Sequence, residues 1–215
     1  MPNVKKSAVK KPDRVIRLSR AEQKIKRTNS MLDAAWALFC KKGYDFTTLE
    51  EVAEYVGVSR YPVYYAFRDK QNLFFELWKR EVDSGISTIN SKIKMGASLH
   101  DNLEAMAQWT VDEYAKNPHT ADGLFFVIQS IGLSRPDIAE KIDAVTTSVV
   151  DSVASAIKSS VIPTRLQLRA PAWAVATHVV AIVNGLGNMR SKSRKIPLNT
   201  PDLLETFLTI ATRKK

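Results

Sequence analysis

Apolar residues recur at helical spacing along nearly the whole chain, and no run of alternating apolar and polar residues is long enough to suggest a sheet. Ser19 and Glu22 have the spacing of a capping box at the start of a first helix, which Gly43 is suited to end. Thr48 and Gly57 bracket a second, shorter helix. The pattern therefore predicts an all-α fold.

The same signals divide the rest of the chain into further helices. Ser59 is expected to cap a short third helix that ends near Phe67, and Asp69 to cap a fourth. Five longer segments keep the helical pattern: 99–116, 120–133, 136–159, 171–190 and 201–213. We therefore expect about nine helices, arranged as an arm (1–18), a small domain (19–68) and a larger helical domain (69–215).

The longest uncharged stretch, from Ala170 to Met189, is long enough to span a membrane. Pro171, His178 and Asn184 within it favour a buried helix of a soluble protein instead. The lysines near the N-terminus are followed by no apolar segment, so we expect no secretory signal. The single cysteine allows no intramolecular disulfide, and we expect a cytoplasmic protein.

The net charge of +10 is unevenly distributed. Residues 1–27 contain ten lysines and arginines but two acidic residues, so they carry +8, whereas the remaining chain carries +2. A basic block at one end is typical of an arm that binds a polyanion, DNA first and an anionic membrane second. The alternative is a solvated tail that only aids solubility.

Between Thr47 and Lys70, a helix, a tight turn at Gly57 and a second short helix form a helix-turn-helix pattern. The second helix of such a motif projects its N-terminal side chains into the major groove of DNA, where donors and aromatic rings are useful. Five residues of this helix fit that requirement: Arg60, Tyr61, Pro62, Tyr64 and Tyr65. Two short packed helices also occur in ordinary helical domains, so the spacing alone leaves both interpretations open.

Thr48 and Ser59 place hydroxyl groups at helix N-termini, where phosphates are commonly bound, and Lys70 adds a cation nearby. Glu50 has an acceptor for a cytosine amino group, but an exposed glutamate on a helix surface is the simpler interpretation.

From Arg27 to Phe74 the chain resembles the DNA-binding domain of the tetracycline-repressor (TetR) family. The matching residues keep the spacing of the family without a gap: Met31-Leu32, Ala34-Ala35, Leu38-Phe39, Gly43-Tyr44, Thr47-Thr48, Val52-Ala53, Gly57-Val58-Ser59, Val63-Tyr64-Tyr65, Phe67, Lys70 and Leu73. The resemblance implies a sequence-specific transcriptional regulator, a repressor that a small-molecule effector releases from DNA.

The resemblance also implies roles for single positions. Thr48, Ser59, Tyr64 and Lys70 match positions that contact phosphates, and Arg60, Tyr61 and Tyr65 match positions that touch bases. Ala66 stands where the family commonly has His or Tyr, and Tyr61-Pro62 replaces a commoner small residue and Thr, Ser or Asn. These departures leave the target sequence open.

The segment 171–190 has apolar residues on two faces, so we expect it to be buried on both. Reading two half-sites of a palindromic operator requires paired recognition helices, which favours a homodimer over a helix internal to a monomer. The last two helices match the pair that forms the dimer interface in the family. The residues that we assign to the interface are Val179, Val180, Val183, Leu186 and Phe207.

An apolar effector pocket in the larger domain is a weaker expectation, because aromatic residues at helical spacing are more often plain core. The candidates for its lining are Met106, Trp109, Tyr114, Phe125 and His178. The three histidines lack the spacing of metal ligands, so no metal or cofactor is expected.

The sequence contains none of the motifs that would point to an enzyme: no nucleophile elbow, no phosphate-binding loop, no dinucleotide fingerprint and no zinc signature. The alternative function is a basic protein that binds the nucleoid or a membrane surface without sequence specificity. DNA binding that increases strongly with sequence match distinguishes the two.

The charge distribution generates the first prediction. Deleting residues 2–17 removes six basic side chains from each subunit, and each neutralised phosphate contributes about 0.9 to the slope of log affinity against log salt concentration. We expect specific and non-specific DNA binding to weaken together, and the slope to flatten by several units per dimer, with helix content unchanged. The measurement is a salt titration of both proteins on the operator and on an unrelated duplex. An unchanged slope would mean that the arm is a solubilising tail.

Overall fold

A computed structural model describes residues 19–116, 120–192 and 197–215, and within its helices the side chains of residues 116, 120–125, 188 and 190–192 are outside the description. The basic arm expected at residues 1–18 therefore lies outside the described residues.

The described residues form nine α-helices and two short β-strands, so the expected all-α fold is confirmed. The helices are α1 (Arg20–Lys42), α2 (Leu49–Val56), α3 (Arg60–Phe67), α4 (Lys70–Lys92), α5 (Leu99–Lys116), α6 (Thr120–Ser134), α7 (Pro136–Lys158), α8 (Ala172–Lys192) and α9 (Thr200–Ala211).

Three of the expected helix caps are present as hydrogen bonds. Ser19 and Glu22 form a full capping box, and Thr48 forms a second one with Glu51. Asp69 accepts a bond from the backbone N–H of Asn72 at the start of α4. Ser59 is the exception: it occupies the N-cap position of α3 with extended backbone, but its side chain makes no capping hydrogen bond.

The end of the last helix also differs from the prediction of 201–213. Helix α9 ends at Ala211 because the next residues leave it as strand β2 (Thr212–Lys214), which pairs antiparallel with β1 (Leu166–Leu168). Two strands of three residues each are too short for an alternating pattern to appear in the sequence.

Two hydrophobic clusters hold the helices together. The first joins α1, α2, α3 and α4 to isoleucines of α6 and α7, among them Ile128, Ile131 and Ile138. The second lies between α5, α7, α8 and α9 and contains Leu103, Phe207 and others. The first cluster therefore continues across the expected boundary at residue 68, and the start of α4 belongs to the same core as the helix-turn-helix.

None of the described helices combines the length and the apolar composition that a membrane crossing requires.

The structure corrects part of the expected dimer interface. Phe207 is 0% exposed and Val179 2% exposed within a single chain, so neither side chain is available to a partner. The apolar face of α8 that carries Val179 packs inside its own subunit.

A close contact between α8 and α5 involves Gly187 and Tyr114. A Cβ atom placed on Gly187 would lie 2.5 Å from the Tyr114 hydroxyl oxygen and 3.1 Å from ring carbons. The same hydroxyl donates a hydrogen bond to the backbone carbonyl of Val183 at 2.8 Å. Glycine at position 187 thus makes room for this tyrosine.

This contact predicts that Gly187→Ala lowers the free energy of unfolding by about 1–3 kcal/mol, the usual cost of overpacking, although alanine is the better helix former. Chemical denaturation is the measurement. Tyr114→Phe removes the nearest of the atoms that the new methyl group would meet. The double variant should therefore lose less stability than the sum of the losses of the two single variants. Strict additivity of the two losses would show that the contact does not constrain α8.

Candidate nucleic-acid interface and ligand cavity

The turn between α2 and α3 fixes which side of α3 faces outward. Gly57 adopts φ 74° and ψ 33°, a left-handed conformation that favours glycine, and its N–H bonds to carbonyls at the end of α2. Val63 and Phe67 are buried and anchor α3 to the core. The opposite side of α3 is therefore presented to solvent.

That exposed side carries aromatic rings and a cation. Tyr61 and Tyr65 stack on each other with ring centroids 5.9 Å apart, yet their side chains remain 74% and 71% exposed. Arg60 is also exposed at the first turn, and Pro62 is half-buried beside it. We call this set, Arg60, Tyr61, Tyr64 and Tyr65, the recognition surface. Such rings supply apolar contact and hydroxyl groups at the same place.

Tyr64 is paired with a carboxylate. Its hydroxyl donates a hydrogen bond of 2.6 Å to Glu50 on α2. The hydrogen bond lowers the pKa of the Glu50 carboxyl, so the negative charge is retained beside the recognition surface. The interpretation of Glu50 as an exposed glutamate on a helix surface does not include this contact, because nothing in the spacing of residues 50 and 64 reveals it.

The three remaining candidates for phosphate contact differ in how their polar groups are used. The Thr48 hydroxyl is engaged with Glu51 in the capping box. The Lys70 ammonium donates to the carbonyls of Tyr44 and Asp45 at 3.0 and 3.1 Å and lies 4.4 Å above the Tyr44 ring. Lys70 thus links the start of α4 to the loop before α2. Ser59, which makes no capping bond, leaves its hydroxyl open at the start of α3.

A cavity of about 500 Å³ lies between α1, α4, α5, α6, α7 and α8. This volume is within the range of small-molecule sites. Of the residues expected to line a pocket, Met106, Trp109 and Tyr114 lie in its wall. The His178 side chain is exposed and is not part of the wall, and the Phe125 side chain lies outside the description.

Part of the wall comes from the expected dimer interface. Val179, Val180 and Val183 line the cavity, while Leu186 packs half-buried against the second cluster. The apolar face of α8 that sequence reasoning assigned to a partner thus encloses a cavity within the subunit. Periodicity identified two apolar faces but could not say which one turns inward.

The described wall combines aromatic and aliphatic side chains with uncharged polar ones and two carboxylates. Trp36, Trp78 and Trp109 contribute rings from three helices, and the charged residues among the described wall residues are Glu81 and Glu113. The indole N–H of Trp109 is buried and has no hydrogen-bond partner among the described residues. A buried donor without a partner is costly, so this position suits a ligand with an acceptor.

A group of possible metal-ligating side chains lies at the start of α5. His100, Asp101 and Glu104 bring possible ligand atoms within 4.8 Å of one another. All three are exposed, and exposed acidic groups at such spacing are common without an ion. The cluster lies apart from both the recognition surface and the cavity wall.

A comparison with known families supports the assignment of the N-terminal part. Residues 31–77 match the model of "Bacterial regulatory proteins, tetR family". The matched segment contains α2, α3 and the turn between them, together with the recognition surface.

Curated relatives match over part of their length. The chain is 24% identical over 127 residues to the HTH-type transcriptional activator FasR of Mycolicibacterium smegmatis. The aligned segment covers 59% of this chain and 57% of that protein. It is 43% identical over 49 residues to the HTH-type transcriptional regulator AcrR of Shigella flexneri, covering 23% of each. An HTH-type transcriptional repressor of Mycobacterium tuberculosis is 32% identical over 83 residues, covering 39% of this chain and 44% of that one. The chain thus spans about half, or less, of the curated relatives it matches.

Solved structures are similar over most of the chain. FadR from Bacillus subtilis, in complex with stearoyl-CoA, superposes with a TM-score of 0.69 at 16% identity, covering 85% of this chain and 98% of that one. NalD, the secondary repressor of the MexAB-OprM multidrug efflux pump in Pseudomonas aeruginosa, superposes with a TM-score of 0.58 at 20% identity, covering 89% and 98%. At these identities the similarity establishes the fold.

Proposed function

We propose that the chain is a cytoplasmic, sequence-specific DNA-binding transcriptional regulator of the tetR family that responds to a small molecule, because residues 31–77 match the model of that family. The observation that carries the proposal is the recognition surface: a cation and three tyrosines on the open side of α3, opposite two buried anchors. The curated relatives are named as transcriptional regulators, an activator and a repressor among them. We propose repression, with the effector releasing the protein from its operator.

On DNA, each part of the recognition surface has a role that its chemistry suits. The planar guanidinium of Arg60 can donate two parallel bonds to a guanine, and the faces of Tyr61 and Tyr65 can pack against thymine methyl groups. Glu50 repels phosphates but accepts a bond from a cytosine amino group, so it favours contact with a base edge. Thr48, Ser59, Tyr64 and Lys70 are proposed to face the phosphate backbone.

We propose a two-fold homodimer that binds a palindromic operator, with the outer face of α8 at the interface. That face carries exposed side chains of Trp173, His178, Ala181 and Met189. Trp173 and Met189 are 55% and 57% exposed in the single chain, so a partner packed on this face would cover two large apolar side chains. Ala181 lies between them in the chain, and its small side chain permits close approach of a second α8.

Helix α4 connects the cavity to the DNA-binding part. It begins at Lys70, directly after the recognition helix, and its middle supplies Trp78, Glu81 and Gly85 to the cavity wall. A ligand that displaces α4 must therefore also move α3. Since two recognition helices must fit one operator at a fixed spacing, a small displacement is enough to weaken DNA binding.

The test of base recognition is Arg60→Ala. We expect it to cost about 1–3 kcal/mol of operator binding and to relax the preference at one base pair. Affinities for the duplex selected from a random pool, and for its single-base variants, are the measurement. Arg60→Lys is the matched control: it keeps the positive charge and should retain most non-specific affinity, while it loses the preference. If Arg60→Ala bound every duplex as the unmodified protein does, the assignment of Arg60 would be wrong.

The test of the interface is Ala181→Arg on the outer face of α8. A charge buried without a partner disfavours association strongly, so this variant should be monomeric at concentrations at which the unmodified protein is a dimer. Light scattering measures the mass, and circular dichroism should show unchanged helix content. Ala115→Arg, on an exposed position of α5, is the control and should remain dimeric. A monomeric unmodified protein at micromolar concentration would refute the interface.

A further inference from the structure

The charge of the cavity wall is opposite to that of the protein. The chain carries +10 overall, yet none of the described wall residues is a lysine, arginine or histidine. Two of them, Glu81 and Glu113, are carboxylates. An anionic group placed in this cavity would lose its hydration and meet no described cationic partner in the wall.

The two carboxylates are not equivalent. Glu81 accepts hydrogen bonds from the neighbouring Arg80, at 3.3 Å from Nε and 3.1 Å from Nη2, so part of its charge is already balanced. Glu113, half-buried on α5, has no ion pair among the described residues. Glu113 is therefore the group in the wall whose charge a ligand would balance.

The aromatic residues favour the same sign of charge. Trp36, Trp78, Trp109 and Tyr114 line the cavity, and the face of an aromatic ring attracts a cation, most strongly for tryptophan. Such attraction increases when the cation is removed from water, as it would be in an enclosed site. The cavity thus combines apolar surface with two separate sources of attraction for positive charge.

We propose that the effector is a hydrophobic cation: a bulky, largely aromatic or aliphatic molecule that carries an amine, quaternary ammonium or similar onium centre. The inference rests on the proposed function, because it names the chemical class of the ligand of that same cavity. Glu113 is the principal counter-charge, and the tryptophans enclose the apolar part. An acceptor group on the natural ligand would also satisfy the buried Trp109 N–H.

The experiment uses two probes of matched size and shape, tetraphenylphosphonium and tetraphenylborate, titrated into the full-length protein by calorimetry at physiological ionic strength. The net charge of +10 favours the borate anion in non-specific binding, so a preference for the cation would run against the overall charge. We expect the phosphonium to bind about tenfold more tightly, or better. Equal or tighter binding of the borate would overturn the proposal.

Two variants locate the charge effect. Glu113→Gln keeps the shape of the side chain and should weaken phosphonium binding by about tenfold, whereas borate binding should stay the same or tighten because a like charge is removed. Glu104→Gln, an exposed position on the same helix and outside the wall, should bind the phosphonium as the unmodified protein does. An equal effect of both variants would also refute the assignment. Circular dichroism of each variant verifies the fold.

DNA binding is measured separately on the same samples. A protein that selects one duplex sequence but prefers the borate would refute the cationic effector and leave the regulatory function standing. A protein that prefers the phosphonium through Glu113 but binds all duplexes alike would refute the proposed function while the ligand class held.

Discussion

The burial of α4 is the constraint on which the rest of the structure depends. Leu73, Phe74 and Leu77 are almost fully buried and belong to one hydrophobic cluster with α1, α2, α3, α6 and α7. Phe74 also makes edge-to-face contacts with Phe39 and Tyr44, at centroid distances of 5.3 and 5.1 Å. Close-packed cores have few alternative arrangements, so the direction of α3 relative to the larger part of the molecule is set by how α4 packs.

Hydrogen bonds made by Arg135 also constrain the position of the start of α4. The guanidinium of Arg135, between α6 and α7, donates to Asp69 at 3.2 Å and to Gln71 at 2.8 Å, while its remaining nitrogens bind Asp137. Asp69 is also the N-cap of α4. The groups are partly exposed, so the contact contributes little stability. Its consequence is geometric: the α6–α7 corner is tied to the residue that separates the recognition helix from α4.

Local signals predicted most of the fold because they act within one helical turn: the Ser19 capping box, the Thr48 cap and the left-handed Gly57 each depend on close neighbours in the chain. The residues of the recognition surface followed from the same short-range pattern. Contacts between segments that are distant in the chain could not be predicted from this short-range pattern. The Glu50–Tyr64 hydrogen bond, the inward face of α8 and the complete burial of Phe207 depend on how distant segments pack, and a helix with two apolar faces is compatible with either orientation.

The arrangement also separates two opposite electrostatic requirements within one small chain. DNA binding needs a positive field at the surface, and the net charge and the open guanidinium of Arg60 supply it. A cation-binding cavity needs negative charge, and Glu113 supplies it inside the helical bundle. The two requirements fall on different residues, because Glu113 lies in the cavity wall and Arg60 is exposed at the start of α3. The cavity therefore selects by its immediate wall, whereas the DNA-binding surface acts on a polyanion through the summed charge of its side of the molecule. Under the proposed function, helix α4 would couple the two sites, because it begins directly after the recognition helix and its middle lines the cavity.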